Sequence, residues 1–119
     1  MDRLTVPDTS ALASEPNPQP DRYYCVEHAA EEFTFLYPVT GQACFGRIEI
    51  SYTPDGSCLE TMALKRYLNS FRDETYYYEA VTNRVLDDVR TACNPRDLSV
   101  TIRFNIRGGS ETTVTAEVQ

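Results

Sequence analysis

Two hydrophobic rhythms lie back to back in the middle of this chain, and together they restrict the fold more than any other feature. Ile48, Ile50 and Tyr52 alternate with Arg47, Glu49 and Ser51, the period-two pattern of a half-buried strand. Thr53-Pro54-Asp55-Gly56 follows, where proline presets φ and glycine accepts a positive φ, so the chain must turn. Leu64, Tyr67, Leu68 and Phe71 then fall at i, i+3, i+4 and i+7, one apolar stripe of a helix. A second helix is expected from about Tyr78 to Cys93, with Val81, Val85, Val89 and Ala92 on one face; Asn94-Pro95 ends it, because the residue before a proline disfavours the helical region.

Strand signals flank this helical block. A short strand is expected around Tyr23–Glu27, with a second apolar piece at Phe33–Leu36. Val100, Ile102 and Phe104 alternate with Thr101 and Arg103, Arg107-Gly108-Gly109 turns, and Thr112–Val118 is rich in β-branched residues. Strands grouped on either side of two helices predict an antiparallel sheet with both helices on one face, an α+β domain. Residues 1–20 hold four of the seven prolines and read as an extended or disordered lead-in, with one domain over 21–119.

Composition narrows the function classes. A net charge of −7 opposes nucleic-acid binding, which needs clustered Lys and Arg to neutralise phosphates. No apolar run approaches the roughly 20 residues of a membrane span, and no basic-then-apolar leader opens the chain, so a cytoplasmic protein is expected. Cys25, Cys44, Cys58 and Cys93 form no C-x-x-C pair, and with the lone His28 they do not give zinc-ligand spacing; no metal is expected. The default for each cysteine is a small buried hydrophobe. A small core gains from self-association, so a homo-oligomer is expected.

Residues 37–46 carry a resemblance. Tyr-Pro-Val-Thr-Gly-Gln-Ala-Cys-Phe-Gly is similar to the nucleophile loop of the NADPH-dependent 7-cyano-7-deazaguanine reductases, the QueF-type nitrile reductases, which reads Cys-Pro-x-Thr-Gly-Gln-Pro-Asp-Phe. Collinear matches run from about Glu15 to Gly109: Glu15-Pro16-Asn17-Pro18, Glu32-Phe33-Thr34, Ile48-x-Ile50-Ser51-Tyr52-x-Pro54-Asp55, Leu64-Lys65-x-Tyr67-Leu68-x-Ser70-Phe71-Arg72, Asn94-Pro95-Arg96 and Arg107-Gly108-Gly109. The resemblance implies the tunnelling fold: a four-stranded antiparallel sheet with two helices on one face, assembled into β-barrel rings (a decamer) with pockets between subunits. It also implies a small-molecule substrate.

The reactive positions depart from the family. Tyr37 stands at the nucleophilic Cys and Cys44 at the acidic Asp. A phenol, with a reference pKa near 10, is a poor substitute for a thiol near 8.5 in attacking a nitrile carbon. Tyr37 is then either a hydrogen-bonding group or an aromatic filler; Cys44 is either a relocated nucleophile or proton donor, or a buried thiol. The family's cofactor motif Glu-Ser-Lys-Ser-x-Lys reads Glu60-Thr61-Met62-Ala63-Leu64-Lys65, which loses a cation and a hydroxyl. No cofactor is therefore expected, with Lys65 and Arg107 the contacts if NADPH binds. Where the family has Phe-His-Glu, this chain has Tyr77-Tyr78-Glu79. The resemblance gives that Glu the role of anchoring an N–H-rich ring, and the residues alone equally allow a helix-start carboxylate favoured by the macrodipole.

Glu79, Tyr37, Cys44 and Tyr78 are thus the candidate catalytic residues, and Glu79, Glu60 and Tyr77 the candidate substrate contacts. Three functions remain open: a related enzyme turned to non-redox acid–base chemistry (cyclisation, isomerisation, elimination or hydration) on a small ring-containing or polar metabolite in specialised-metabolite biosynthesis, a divergent nitrile reductase, or a non-catalytic partner of an active homologue. The first is preferred, because nucleophile, acid, cofactor contact and His are all replaced while Glu79 and the Thr-Gly-Gln frame stay.

Overall fold

The structure, a computed structural model, describes residues 9–119. Beyond a single 3-10 turn at Thr9–Ala11, its elements run β1 (Ser14–Pro16), β2 (Val26–Leu36), β3 (Ala43–Thr53), β4 (Ser57–Leu59), α1 (Thr61–Asn69), α2 (Tyr78–Cys93), β5 (Asp97–Phe104) and β6 (Thr113–Val118). The main sheet is antiparallel in the order β2-β3-β5-β6. One copy makes an open sheet with edges at β2 and β6, not a closed barrel.

The expected α+β architecture is present, and the alternation in β3 explains the layering. Ile48, Ile50 and Tyr52 are buried, in register with Ile102, Val100 and Leu98 of β5. Leu64, Tyr67 and Leu68 of α1, Phe71 just beyond it, and Val81, Val85 and Val89 of α2 complete one apolar cluster with them. The two helices are also tied laterally: the Tyr67 hydroxyl donates to Asp88 Oδ2 at 2.5 Å, and Arg84 Nε donates to the same oxygen at 2.8 Å. Helix α2 ends as its sequence dictates. Asn94 is left-handed (φ 44°), its N–H caps the Arg90 carbonyl at 2.8 Å, and Pro95 stops the ladder.

Two features differ from the sequence reading. The apolar pieces at Tyr23–Glu27 and Phe33–Leu36 belong largely to one strand, β2, whose register shifts between Ala30 and Phe33. Consecutive exposed residues Glu31 and Glu32 break the period-two pattern there, so the segment reads as two pieces. The described part of residues 1–20 is bound into the fold: β1 pairs with β4 in a small second sheet. Asn17 is buried, donating to the Asp55 carbonyl at 2.7 Å and accepting from Gln19 N at 2.9 Å and the Tyr24 hydroxyl at 2.5 Å. Arg96 closes over this corner, donating to the Pro20 and Pro54 carbonyls while its guanidinium lies 4.2 Å from the Tyr23 ring centroid.

Gly46 sets how closely the central strands approach. A Cβ there would sit 2.9 Å from the Arg103 carbonyl oxygen, a backbone atom held by the β3–β5 ladder. Only glycine lets the strand following the 37–42 loop keep its place.

Candidate functional site

The loop between β2 and β3 is closed by its own backbone. Tyr37 N donates to the Gln42 carbonyl at 2.9 Å, Gly41 N to the Tyr37 carbonyl at 2.8 Å, and Gln42 N to Thr40 Oγ1 at 3.2 Å. Gly41 adopts φ +69°, which explains glycine in the Thr-Gly-Gln frame. A second set of bonds ties this loop to the connector between the helices. Leu36 N donates to the Glu74 carbonyl at 2.8 Å and Tyr76 N to the Leu36 carbonyl at 3.0 Å, with Leu36 and Thr75 bridged in parallel. The Tyr76-Tyr77-Tyr78 run is thereby carried to the side of Tyr37.

Rings fill the junction. Tyr37 meets Tyr77 and Tyr78 edge-on, at centroid distances of 5.6 and 5.7 Å. Tyr78 stacks on Phe104 at 3.9 Å with 6° between planes, and Phe35 meets Tyr78 edge-on at 6.1 Å. A cavity of about 270 Å³ opens beside them, lined by Tyr37, Thr40, Gln42, Cys44, Tyr78 and Arg107. The Arg107 guanidinium is aimed by the turn that carries it: it donates to the Ala43 carbonyl and, at 3.5 Å, to Gln42 Oε1.

Electrostatics in this pocket favour neutral groups. Burial pushes the Cys44 thiol above its ordinary pKa, partly offset by the Arg107 charge and a hydrogen bond with Tyr78. Burial also raises the Tyr78 phenol, and its thiol neighbour adds to the shift. Near neutral pH both stay protonated, able to donate hydrogen bonds and protons, and Cys44 holds less thiolate than a free cysteine.

Of the candidate catalytic residues, Tyr37, Cys44 and Tyr78 line this pocket, with Tyr77 (51% exposed) packed behind Tyr37; Arg107, named only as a contact for NADPH, lies here and apart from Lys65. Glu79 is exposed in the first turn of α2 and is not among the residues lining the pocket in one copy. Glu60 lies elsewhere: its two carboxylate oxygens accept from Met62 N at 2.8 Å and Ala63 N at 3.0 Å, capping α1. Lys65 borders a different cavity, under α1. Thr40 and Gln42 line the pocket without having been singled out, although both stand in the preserved frame. The cysteines divide: Cys44 and Cys93 are buried as expected, while Cys58 is half-buried and Cys25 exposed.

Comparison with known proteins agrees with this architecture. A family model described as "QueF-like protein" matches residues 44–119. The NADPH-dependent 7-cyano-7-deazaguanine reductase of Nitrosococcus oceani is 46% identical over 101 residues, covering 85% of this chain and 78% of the relative. The enzyme of the same name from Nitrosospira multiformis is 48% identical over 106 residues, covering 89% and 76%. The chain belongs to the QueF-like family. A crystal structure of the archaeosine synthase QueF-Like in the apo form superposes with a TM-score of 0.74 at 24% identity, covering 78% of this chain and 91% of that one, and shows the shared fold.

The relatives' names include NADPH, so its fit to this chain's residues can be tested. Glu60 closes the first amides of α1, which would otherwise attract a phosphate. Met62, at the family's first Lys position, is 54% exposed and offers a thioether in place of a cation. Lys65 is the one cation lining the adjacent cavity, against the carboxylates of Glu31 and Glu32. At these positions the chain thus offers one cation, Lys65, and a thioether where the family has a second. Among the described residues no helix is long and apolar enough to cross a membrane.

Proposed function

We propose that this chain is a QueF-like enzyme that performs non-redox acid–base chemistry on a small, polar, ring-containing metabolite. The observation that carries this reading is the pairing of Tyr37, at the family's nucleophile position, with a buried Cys44 whose pKa is raised. Attack on a nitrile carbon needs a thiolate, and the pocket holds its thiol protonated. What it offers instead are a thiol and two phenols as proton donors, with Arg107 to stabilise developing negative charge. Cyclisation, isomerisation, elimination or hydration of a heterocycle, as a step in specialised-metabolite biosynthesis, is within reach of such groups.

Glu79 is the proposed anchor or base, accepting paired hydrogen bonds from an N–H-rich ring. It needs a second copy to enclose it. Strands β2 and β6 are free edges of one sheet, and the sheet order makes them run in opposite directions. Antiparallel pairing of β2 with the β6 of a neighbour would close a ring, a homo-oligomer (a decamer by analogy) with pockets between copies.

Incubation with NADPH and 7-cyano-7-deazaguanine tests the reading. No nicotinamide oxidation is expected, while the ring itself binds and Glu79→Gln weakens binding by roughly 10-fold or more. Nicotinamide oxidation that disappears in Cys44→Ser would instead establish a divergent reductase with a relocated nucleophile. The identity to reductases over most of their length favours that second reading.

A further inference from the structure

Four arginines donate side-chain hydrogen bonds among the described residues: Arg47, Arg84, Arg96 and Arg107. Three of them face a carboxylate. Arg47 pairs with Glu31 and Glu49, Arg84 with Asp88 at 2.8 Å, and Arg96 with Asp55 at 3.2 Å. Arg107 is the exception. Its guanidinium is fixed by two neutral oxygens, the Ala43 carbonyl and Gln42 Oε1, and it makes no ion pair among the described residues. In a chain of net charge −7, a held but unbalanced cation stands apart.

The backbone brings this cation to the cavity beside Tyr37. Arg107 N donates to the Ser110 carbonyl at 3.0 Å and Ser110 N to the Arg107 carbonyl at 2.9 Å, a tight turn in which Gly108 and Gly109 take φ of +57° and +78°. The side chain is exposed, and the N–H groups not spent on Gln42 and Ala43 are open to a ligand. None of the six residues lining the cavity is acidic. Cys44 is buried, so the groups a ligand meets are the hydroxyls of Tyr37, Thr40 and Tyr78, the Gln42 amide and the guanidinium.

We propose that the substrate of this pocket is an acid: a ring-bearing small molecule whose carboxylate seats on Arg107. This rests on the reading of the Tyr37 pocket as the substrate site. A carboxylate matches the planar guanidinium in shape and balances its charge one for one. The hydroxyls of Tyr37 and Thr40 line the same cavity and can donate to its remaining lone pairs. A phosphate monoester carries close to two charges and would meet a single cation here. A nitrile or carboxamide leaves Arg107 unbalanced. A carboxylate conjugated with the ring also suits the chemistry, because negative charge developing in the ring spreads onto its oxygens, against the guanidinium.

Titration calorimetry on the full chain tests this with three 7-deazaguanine probes, bearing a nitrile, a carboxamide or a carboxylate on the same ring carbon. The carboxylate is expected to bind tighter than either neutral probe by about 10-fold or more, the gain of one charge-assisted contact. Arg107→Gln changes an exposed side chain, so folding is expected to be retained, as a thermal melt would verify. It should erase the preference while leaving the affinity of the carboxamide unchanged, which a collapsed pocket would not do. The proposal is overturned if a neutral probe binds as tightly as the carboxylate, if the preference survives in Arg107→Gln, if inorganic phosphate at equal concentration displaces the carboxylate probe, or if no probe binds at millimolar concentration. Glu79→Gln separates this result from the function proposed above. A carboxylate preference that persists while Glu79→Gln changes nothing would remove the Glu79 anchor and leave the acid on Arg107 standing. Equal weakening of all three probes by Glu79→Gln, with no carboxylate preference, would remove the acid alone.

Discussion

Strand β2 passes two cavities, and the register shift at Ala30/Phe33 separates their characters. Beyond the shift, Phe33 and Phe35 are buried against Gly46 and Cys44 of β3, and the strand delivers Tyr37 into a ring-filled junction. At and before the shift, Glu31 and Glu32 turn outward and β2 parts from α1, leaving about 420 Å³ of open space. The first region is closed by aromatic packing and lined by hydroxyls, a thiol and one guanidinium. The second is an apolar trough with separated charges at its rim. One irregularity in one strand is enough to place chemically different sites side by side.

Stability offers the largest way to break that comparison. Phe104 is buried, stacks on Tyr78 and meets Phe35 edge-on at 5.8 Å. Phe104→Ala is expected to cost about 3–5 kcal/mol in denaturant melts. Leu68 borders the open cavity, where neighbours have room to relax, so Leu68→Ala should fall near the low end of its class, about 2 kcal/mol. Equal losses would mean that the two regions are equally well packed. The next effect is smaller and sharpens the assignment of function. Glu60→Ala removes the α1 cap and should cost about 1 kcal/mol, leaving ligand binding at the Tyr37 pocket unchanged. Loss of binding there would return Glu60 to the substrate contacts.

The same contrast explains what the sequence could reveal. Periodicity located α2 at Tyr78–Cys93 and found the stripe of α1, because both helices bury one face on one sheet. The loop frame was legible because Gly41 and the Thr40 side chain perform local backbone tasks. The continuity of β2 was not, since its register shift hides the alternation. The role of Glu60 was not, because a carboxylate before a helix reads equally as a cap or as a contact. The cavity under α1 left no local signal: its walls come from residues near 30, 50 and 65, and only the fold assembles them. His28 looked like a lone histidine for the same reason.

That histidine gives the smallest and most specific prediction. Burial lowers the pKa of His28 below its ordinary value of 6.5. The unfolded chain therefore binds a proton at a pH where the folded chain still resists it, and folding stability must fall as pH drops through that interval. Above the ordinary value both states are neutral at this site, and the effect vanishes. His28→Phe keeps a ring over Tyr52 and removes the titration. The melting temperature of the natural chain should decline from about pH 7 to about pH 5 more steeply than that of the variant, before most carboxylates begin to protonate. A variant that tracks the natural chain across this range would show that His28 is open to water rather than buried.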